Sequence, residues 1–275
     1  MTSSTSSIRL IGIDVDGTLV GAAGKVHPRV WTAAERARDV GIHLVLCSGR
    51  PAFGTAVDYA RRLDCTGWHV FQNGASVVNL GSGESRSTPL PPACVDMMIA
   101  QARDTGYVLE LYTDQDYAFE STGEWAREHA DLLGVPFEPR PFESLQGPVV
   151  RAQWLVTDAE VDRVRATISS DVEIAQSSSP LMPGTHFVGV TRQGVSKGSA
   201  MQAIAGEYRV QLREVMYIGD AGNDLPALQV VGHPVAMGGA SPAVRASAKD
   251  IVPGPEEGGV ADAFEIAIRT HRAPR

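Results

Sequence analysis

The chain has 275 residues, 43% apolar and 20% charged, with a net charge of −8. That length holds one large or two ordinary domains with a sizeable core. The acidic balance argues against a nucleic-acid partner or a surface for anionic lipid, but leaves room for a small anionic ligand beside a divalent cation.

Residues 1–7, MTSSTSS, read as a disordered tail without the basic and apolar regions of a secretory signal. IRLIGIDV (8–15) predicts a buried strand, and HPRVWTAAERARDVGI (27–42) a helix with Pro28 in its first turn and Gly41 just past its end. IHLVLCSG (42–49) predicts a second strand, PAFGTAVDYARRLD (51–64) a second helix, and WHVFQNGASVV (68–78) a third strand entering an Asn-Gly hairpin. This alternation implies a parallel sheet with helices on both faces.

The polar, Pro/Gly/Ser-rich stretch 81–93 reads as a domain boundary. Beyond it lie a helix (94–106), strands at 107–113 and 116–121, a helix (123–133) and a Pro-rich loop (134–148). A strand (149–156), a helix (158–169) and a strand (171–177) complete a self-contained α+β insertion. The doubly wound pattern is expected to resume with the strand HFVGVT (186–191), the helix from Ser196, the strand VMYIG (215–219), a helix from Asn223 and the closing strands and helices. The fold class is therefore α/β: a doubly wound, mostly parallel core over 8–83 and 188–275, interrupted by an α+β cap over 84–187.

No run approaches the ~20 apolar residues of a membrane span, so no membrane partner is expected. Cys47, Cys65 and Cys94 fit neither a disulfide nor a zinc spacing, which points to a reducing, cytoplasmic setting. The seven histidines have no ligand spacing. Nothing in the sequence fixes the oligomeric state.

Ligands of open α/β sheets bind beyond the carboxyl ends of the strands. The polar residues expected there are Asp14, Asp16, Gly17 and Thr18; then Ser48, Gly49 and Arg50; then Gln72 and Asn73; then Asp220, Asn223 and Asp224. Lys197 stands where a helix begins. Singly, several have plain structural readings. Asp16-Gly17 makes a turn, Ser48 caps a helix starting at Pro51, Asn73-Gly74 makes a hairpin, and Asn223 caps the next helix. Lys197 resists such a reading, because a cation in a first helical turn opposes the helix dipole and calls for a neighbouring anion. Taken together, the acids suit a hard cation such as Mg²⁺, and the whole rim suits a phosphate ester.

DVDGT (14–18), CSGR (47–50), GVSKG (194–198) and GDAGND (219–224) resemble, in that order, the four motifs of the haloacid-dehalogenase-like (HAD) phosphohydrolases. The insertion and QNGA (72–75) are similar to the Cof-type branch with its α/β cap. The resemblance implies a Mg²⁺-dependent phosphatase of a small phosphorylated metabolite, a sugar phosphate or similar, working through an aspartyl-phosphate. By the same resemblance Asp14 is the nucleophile and Asp16 the general acid and base. Gly17 and Thr18 shape the loop that positions Asp16. Ser48 and the loop amides, Gly49 included, hold the phosphate, with Asn73 and Asn223 as further contacts. Lys197 neutralises the transferring group. Mg²⁺ is held by Asp14, the Asp16 carbonyl and Asp220, with Asn223 and Asp224 completing its shell directly or through water. A phosphomutase or phosphotransferase would share all these residues, while a receiver-like phospho-acceptor switch would need no cap and no second acid.

Overall fold

The computed structural model of the protein describes residues 7–22, 24–166, 168, 171–179 and 182–272. The tail expected over 1–7 lies outside these residues except for Ser7, whose hydroxyl is 3.2 Å from His271 Nδ1. In chain order come β1 (Leu10–Asp14), α1 (Pro28–Asp39), β2 (His43–Cys47), α2 (Thr55–Asp64), β3 (Trp68–Phe71) and β4 (Ser76–Asn79). Next are α3 (Pro92–Thr105), β5 (Val108–Tyr112), β6 (Tyr117–Phe119), α4 (Glu124–Leu133), β7 (Arg151–Val156), α5 (Asp158–Ala166), β8 (Val172–Ser179) and β9 (Met182–Arg192). The chain closes with α6 (Lys197–Glu207), β10 (Val215–Gly219), α7 (Leu225–Val230), β11 (His233–Met237), α8 (Pro242–Ser247), β12 (Asp250–Val252) and α9 (Gly259–Arg272). No helix among the described residues is long and apolar enough to cross a membrane.

The chain forms two compact units. The first comprises the described residues up to Gly49, Asp58–Glu84 and those from Ser196 onward; the second is Arg50–Val57 with Ser85–Val195.

The first unit carries a seven-stranded sheet in the order β12-β11-β10-β1-β2-β3-β4. Every neighbouring pair is parallel except the β3–β4 hairpin. β1 is central because its run is apolar on both faces, and all five of its residues are buried. The chain winds outward from β1 through β2 to one edge and later through β10 to the other. The pair β1–β10 is therefore the topological switch point, where an open sheet leaves a crevice at its carboxyl ends. One face packs α6, α7 and α8 on Leu10, Val45, Val70, Val215 and Tyr217. Because side chains alternate along a strand, Gly12 and Asp14 share the face of Leu10. His69 is buried: its Nδ1 accepts from Leu46 N at 3.0 Å and its Nε2 lies 2.7 Å from Asp64 O. It thus supplies an acceptor between β2 and β3, where the main chains pair at only Cys47 and Val70.

The second unit carries a five-stranded antiparallel sheet in the order β6-β5-β7-β9-β8. Leu109, Leu111, Ala152, Trp154, Val188 and Val190 pack with α3 and α5 on one face. Val108, Leu155 and Phe187 pack with Ala126 of α4 on the other.

Two element-level expectations change. The strand over 186–191 was expected to restart the parallel core; it is instead part of β9, antiparallel to both β7 and β8. α2 begins at Thr55 rather than near Pro51, after Gly54 with its positive φ of 63°. Ser48 therefore lies too far upstream to cap it.

Candidate active site

Four segments of the first unit meet beyond the ends of β1 and β10. β1 delivers Asp14 at its last position, buried and on the α6 face. α6 begins at Lys197, after Ser196 caps it by accepting from Ser199 N. Gly198 lets that helix start close to α7, since a Cβ there would lie 2.4 Å from Pro226 O. Lys197 is 0% exposed, so its charge depends wholly on protein partners. Its Nζ donates to Asp14 Oδ1 at 2.5 Å and to Asp224 Oδ1 at 2.7 Å. The anion that the helix dipole demands is supplied by the protein's own carboxylates.

Asp224 is equally enclosed. Its Oδ1 also accepts from Tyr217 OH at 2.7 Å, and its Oδ2 accepts the amides of Asp220 and Ala221, both at 3.0 Å. A carboxylate offers about four lone-pair sites, and these four donors occupy them. Asp224 is thus a bracket: it holds Lys197 on one side and the turn after β10 on the other.

Asp220 is half-buried and accepts from Thr18 Oγ1 at 2.9 Å. The loop after β1 comes close to it only because residue 17 is glycine. Its φ is +86°, and a Cβ would stand 2.2 Å from Asp220 Oδ2. Asp14, Asp220 and Asp224 each place one carboxylate oxygen within 4.8 Å of the others. Asp16 is exposed. It lines, with Gly17 and Asp220, a cleft of about 450 Å³ that continues to Gly254, Pro255 and Glu256.

Beside this group, Ser48 is buried at the end of β2 and joins its neighbour through main-chain bonds: Ser48 N donates to Val70 O, and Asn73 N to Ser48 O. Gln72 and Asn73 both have positive φ, 52° and 57°, which turns the Asn73 side chain toward Gly49. Asn223 Nδ2 donates to Asn73 Oδ1 at 2.9 Å. The structure thus brings Asp14, Gly17, Thr18, Lys197, Asp220 and Asp224 together, and links Ser48, Gly49, Asn73 and Asn223 as a second chain of contacts. Tyr217 was read in the sequence only as an apolar strand residue. Its one local signal is a phenol on the last inward position before the Gly-Asp turn.

Electrostatically the acids outnumber the cation: three carboxylates cluster together, and the one ammonium pairs with two of them, Asp14 and Asp224. Burial raises the Asp14 carboxyl, Lys197 opposes that, and Asp224 and Asp220 add to it; the balance leaves it at about 8. Burial also raises Asp220, against the hydrogen bond from Thr18. Burial alone would lower Lys197, but Asp14 and Asp224 outweigh it and keep the amine protonated. The negative charge left over, presented by oxygen donors only, fits a hard divalent cation. Asp14, Asp220 and Asp224 form the acid group that could hold one, with the oxygens of Asp224 already accepting from four protein donors.

A family model for haloacid dehalogenase-like hydrolases matches residues 11–264. YxeH of Bacillus subtilis is 27% identical over 271 residues, which are 94% of this chain and 98% of that protein. A haloacid dehalogenase-like hydrolase from Bacteroides thetaiotaomicron superposes with a TM-score of 0.84 at 26% identity, over 94% of this chain and 99% of that one. The HAD subclass IIB sugar phosphatase BT4131 does so with a TM-score of 0.77 at 25% identity, over 94% and 99%. The two sheets agree with these matches: the chain belongs to the haloacid dehalogenase-like hydrolases and is a phosphatase of that family.

Proposed function

We propose that this phosphatase hydrolyses monoesters of small phosphorylated metabolites, with sugar phosphates as the leading class, by passing the phosphoryl group through Asp14. One observation carries the reading. At the switch point of the sheet, a buried carboxylate is held by a buried ammonium, 2.5 Å away, next to a second acid that a threonine aims. The sugar phosphatase BT4131 supports the substrate class.

Asp14, Asp220 and the main-chain carbonyl of Asp16 would hold Mg²⁺, which when bound offsets negative charge on the acids and on the transferring phosphoryl oxygens. A carboxylate oxygen of Asp14 attacks phosphorus and the ester P–O bond breaks, giving an aspartyl-phosphate. Asp16, exposed at the mouth of the cleft, gives its proton to the leaving oxygen. It then takes one back from the water that attacks the intermediate, so the P–O bond to Asp14 breaks and phosphate leaves. Lys197 stays protonated throughout and faces the developing charge without reorganising. Ser48 donates to a phosphate oxygen, and Asn73 and Asn223 flank it. The three cysteines are free thiols, in keeping with a cytoplasmic enzyme.

The test is a panel of phosphoesters with Mg²⁺, comparing kcat/KM of the native protein with that of Asp14→Asn. Mg²⁺-dependent release of phosphate from the native protein alone is the expected result. Substantial Asp14→Asn turnover, with deamidation excluded by mass spectrometry, removes Asp14 as nucleophile. Label retained between substrate positions would make the protein a mutase. A long-lived phosphoprotein without turnover would make it a phospho-acceptor switch.

A further inference from the structure

We propose that Tyr217 is a positioning residue for the reaction: acting through Asp224, its buried hydroxyl fixes the aim of the Lys197 ammonium. The inference rests on the reading of Asp14 and Lys197 given above.

Tyr217 occupies the middle of β10, and its ring is wholly buried in the apolar cluster under α6 and α7. A phenylalanine would satisfy that packing. The added hydroxyl brings a desolvation cost that only a good hydrogen bond offsets. That bond goes to Asp224 Oδ1 at 2.7 Å, seven residues on in sequence. The neighbouring strand is shaped for the ring. Gly12 of β1 is the register partner of Tyr217, and a Cβ there would stand 2.7 Å from Tyr217 Cδ2 and 2.9 Å from Met201 Sδ.

The consequence falls on Lys197. Its ammonium ends a long flexible stem, so its direction is set by what it bonds rather than by its own backbone. Of its two partners, Asp14 changes during the reaction, because that carboxylate becomes an acyl phosphate. Asp224 does not change. It is the fixed point, and it is fixed by donors on both oxygens. The amides of Asp220 and Ala221 hold Oδ2, while Tyr217 alone shares Oδ1 with the lysine. Without the phenol, the carboxylate is free to turn about the amide side. The ammonium then follows it and loses its pre-set alignment with the phosphoryl group. Displacement of a charged group by a fraction of an ångström is enough to slow a reaction whose acceleration comes from preorganised charge.

The experiment compares the native protein, Tyr217→Phe, Asp224→Asn, the double variant and Asp14→Asn, each with Mg²⁺ and p-nitrophenyl phosphate, and measures inhibition by orthovanadate. Tyr217→Phe keeps the ring and is expected to fold, as circular dichroism will check. Its kcat is expected to fall about tenfold, the loss of one hydrogen bond to a charged group, with KM changed less than about twofold. The orthovanadate inhibition constant should rise by the same factor as kcat falls. A merely structural role would reduce the active fraction but leave that constant unmoved. In the Asp224→Asn background the added Tyr217→Phe change should have almost no effect. Three results overturn the inference: kcat and the inhibition constant both unchanged, kcat reduced with the inhibition constant unchanged, or the full effect persisting without Asp224. An active Asp14→Asn protein would instead overturn the underlying reading, so the two failures are separable.

Discussion

Asp14 and Glu110 are both buried carboxylates on interior strands, one in the seven-stranded parallel sheet and one in the five-stranded antiparallel sheet. Their surroundings differ in what they leave over. Glu110 sits in the middle of β5 opposite Gln153, its register partner on β7. It accepts from Tyr112 OH at 2.5 Å, lies 2.8 Å from His129 Nδ1, and has Gln153 Nε2 at 3.4 Å. Gln153 Nε2 is also 3.3 Å from His129 Nε2, which suits a histidine that donates from Nδ1 and accepts at Nε2. Arg151 reaches Gln153 Oε1 and completes the group. This cluster closes on itself. The group around Asp14 does not, since three carboxylates cluster with one ammonium, which pairs with only two of them, where strands end beside a cleft. A buried polar network whose partners are all supplied is scaffold, whereas one with uncompensated charge at a sheet's switch point is built for something that arrives from outside.

The largest expected effect comes from deepening the imbalance. Lys197→Met leaves three acids with no cation, and kcat/KM on p-nitrophenyl phosphate should fall about a thousandfold or more. A loss below tenfold would mean that the ammonium is a structural tie, much like the donors around Glu110. Next comes Asp16→Asn, which leaves the buried group intact. It should cost about a hundredfold with alkyl phosphates and far less with activated aryl esters. Equal losses on both series would deny Asp16 its proton-transfer role.

A third effect is on stability, and its sign follows from Asp14. Its folded carboxyl titrates at about 8 and its unfolded one near 3.8, so between those values the folded state holds a proton that the unfolded chain has released. Without metal, stability should therefore fall as pH rises from about 4 to about 8, being fully present only below the unfolded value. Mg²⁺ competes with that proton and should bind more tightly as pH rises, flattening the slope. Melting temperatures of the chelated and Mg²⁺-loaded protein across this range check both statements. Asp14→Asn should remove the slope and make the metal-free protein more stable at pH 8. A slope that survives the substitution would place the titration elsewhere. His69 acts at the acid end. Burial lowers it to about 4, so as pH falls below 6.5 the unfolded chain takes up a proton that the fold excludes, and stability declines toward 4.

These contrasts were unequally visible in the sequence. The acids, Lys197 and the doubly wound core were legible because each announces itself locally: an acid at the end of an apolar run, a lysine set against a helix dipole, and strands alternating with helices. The sheet to which 186–191 belongs was not legible. HFVGVT is apolar enough for either sheet, and what decides is antiparallel pairing with β7 and β8, a tertiary fact without local trace. Thr18 lies in the loop that carries Asp16, as its place in the sequence suggests, but the bond from its hydroxyl to Asp220, 202 residues away, has no local trace. Asp224 stands in the acid group as its sequence position suggests, but its bracketing role depends on four donors, two of them main-chain amides that no side-chain pattern reveals. Tyr217 and the Glu110 cluster were missed for one reason. Pattern reading scores Tyr as apolar and mid-strand Glu as outward-facing, and only packing shows where the polar atom ends.

The smallest effect returns to Glu110 and tests whether its cluster is scaffold alone. Glu110→Gln keeps the shape and, at the position of Oε2, an acceptor for Tyr112 and Gln153, but puts a donor group at the position of Oε1, where His129 also donates. One buried donor then lacks an acceptor, at a cost of about 1–3 kcal/mol in unfolding free energy. Because the cluster supplies its own partners, this loss should be equal with Mg²⁺ and with chelator, unlike that of any variant around Asp14. Urea unfolding under the two conditions measures it. If Mg²⁺ rescues Glu110→Gln, or if the loss appears only in its presence, then charge at Glu110 is coupled to the metal-dependent state. The division between a closed network and an open one would then no longer hold.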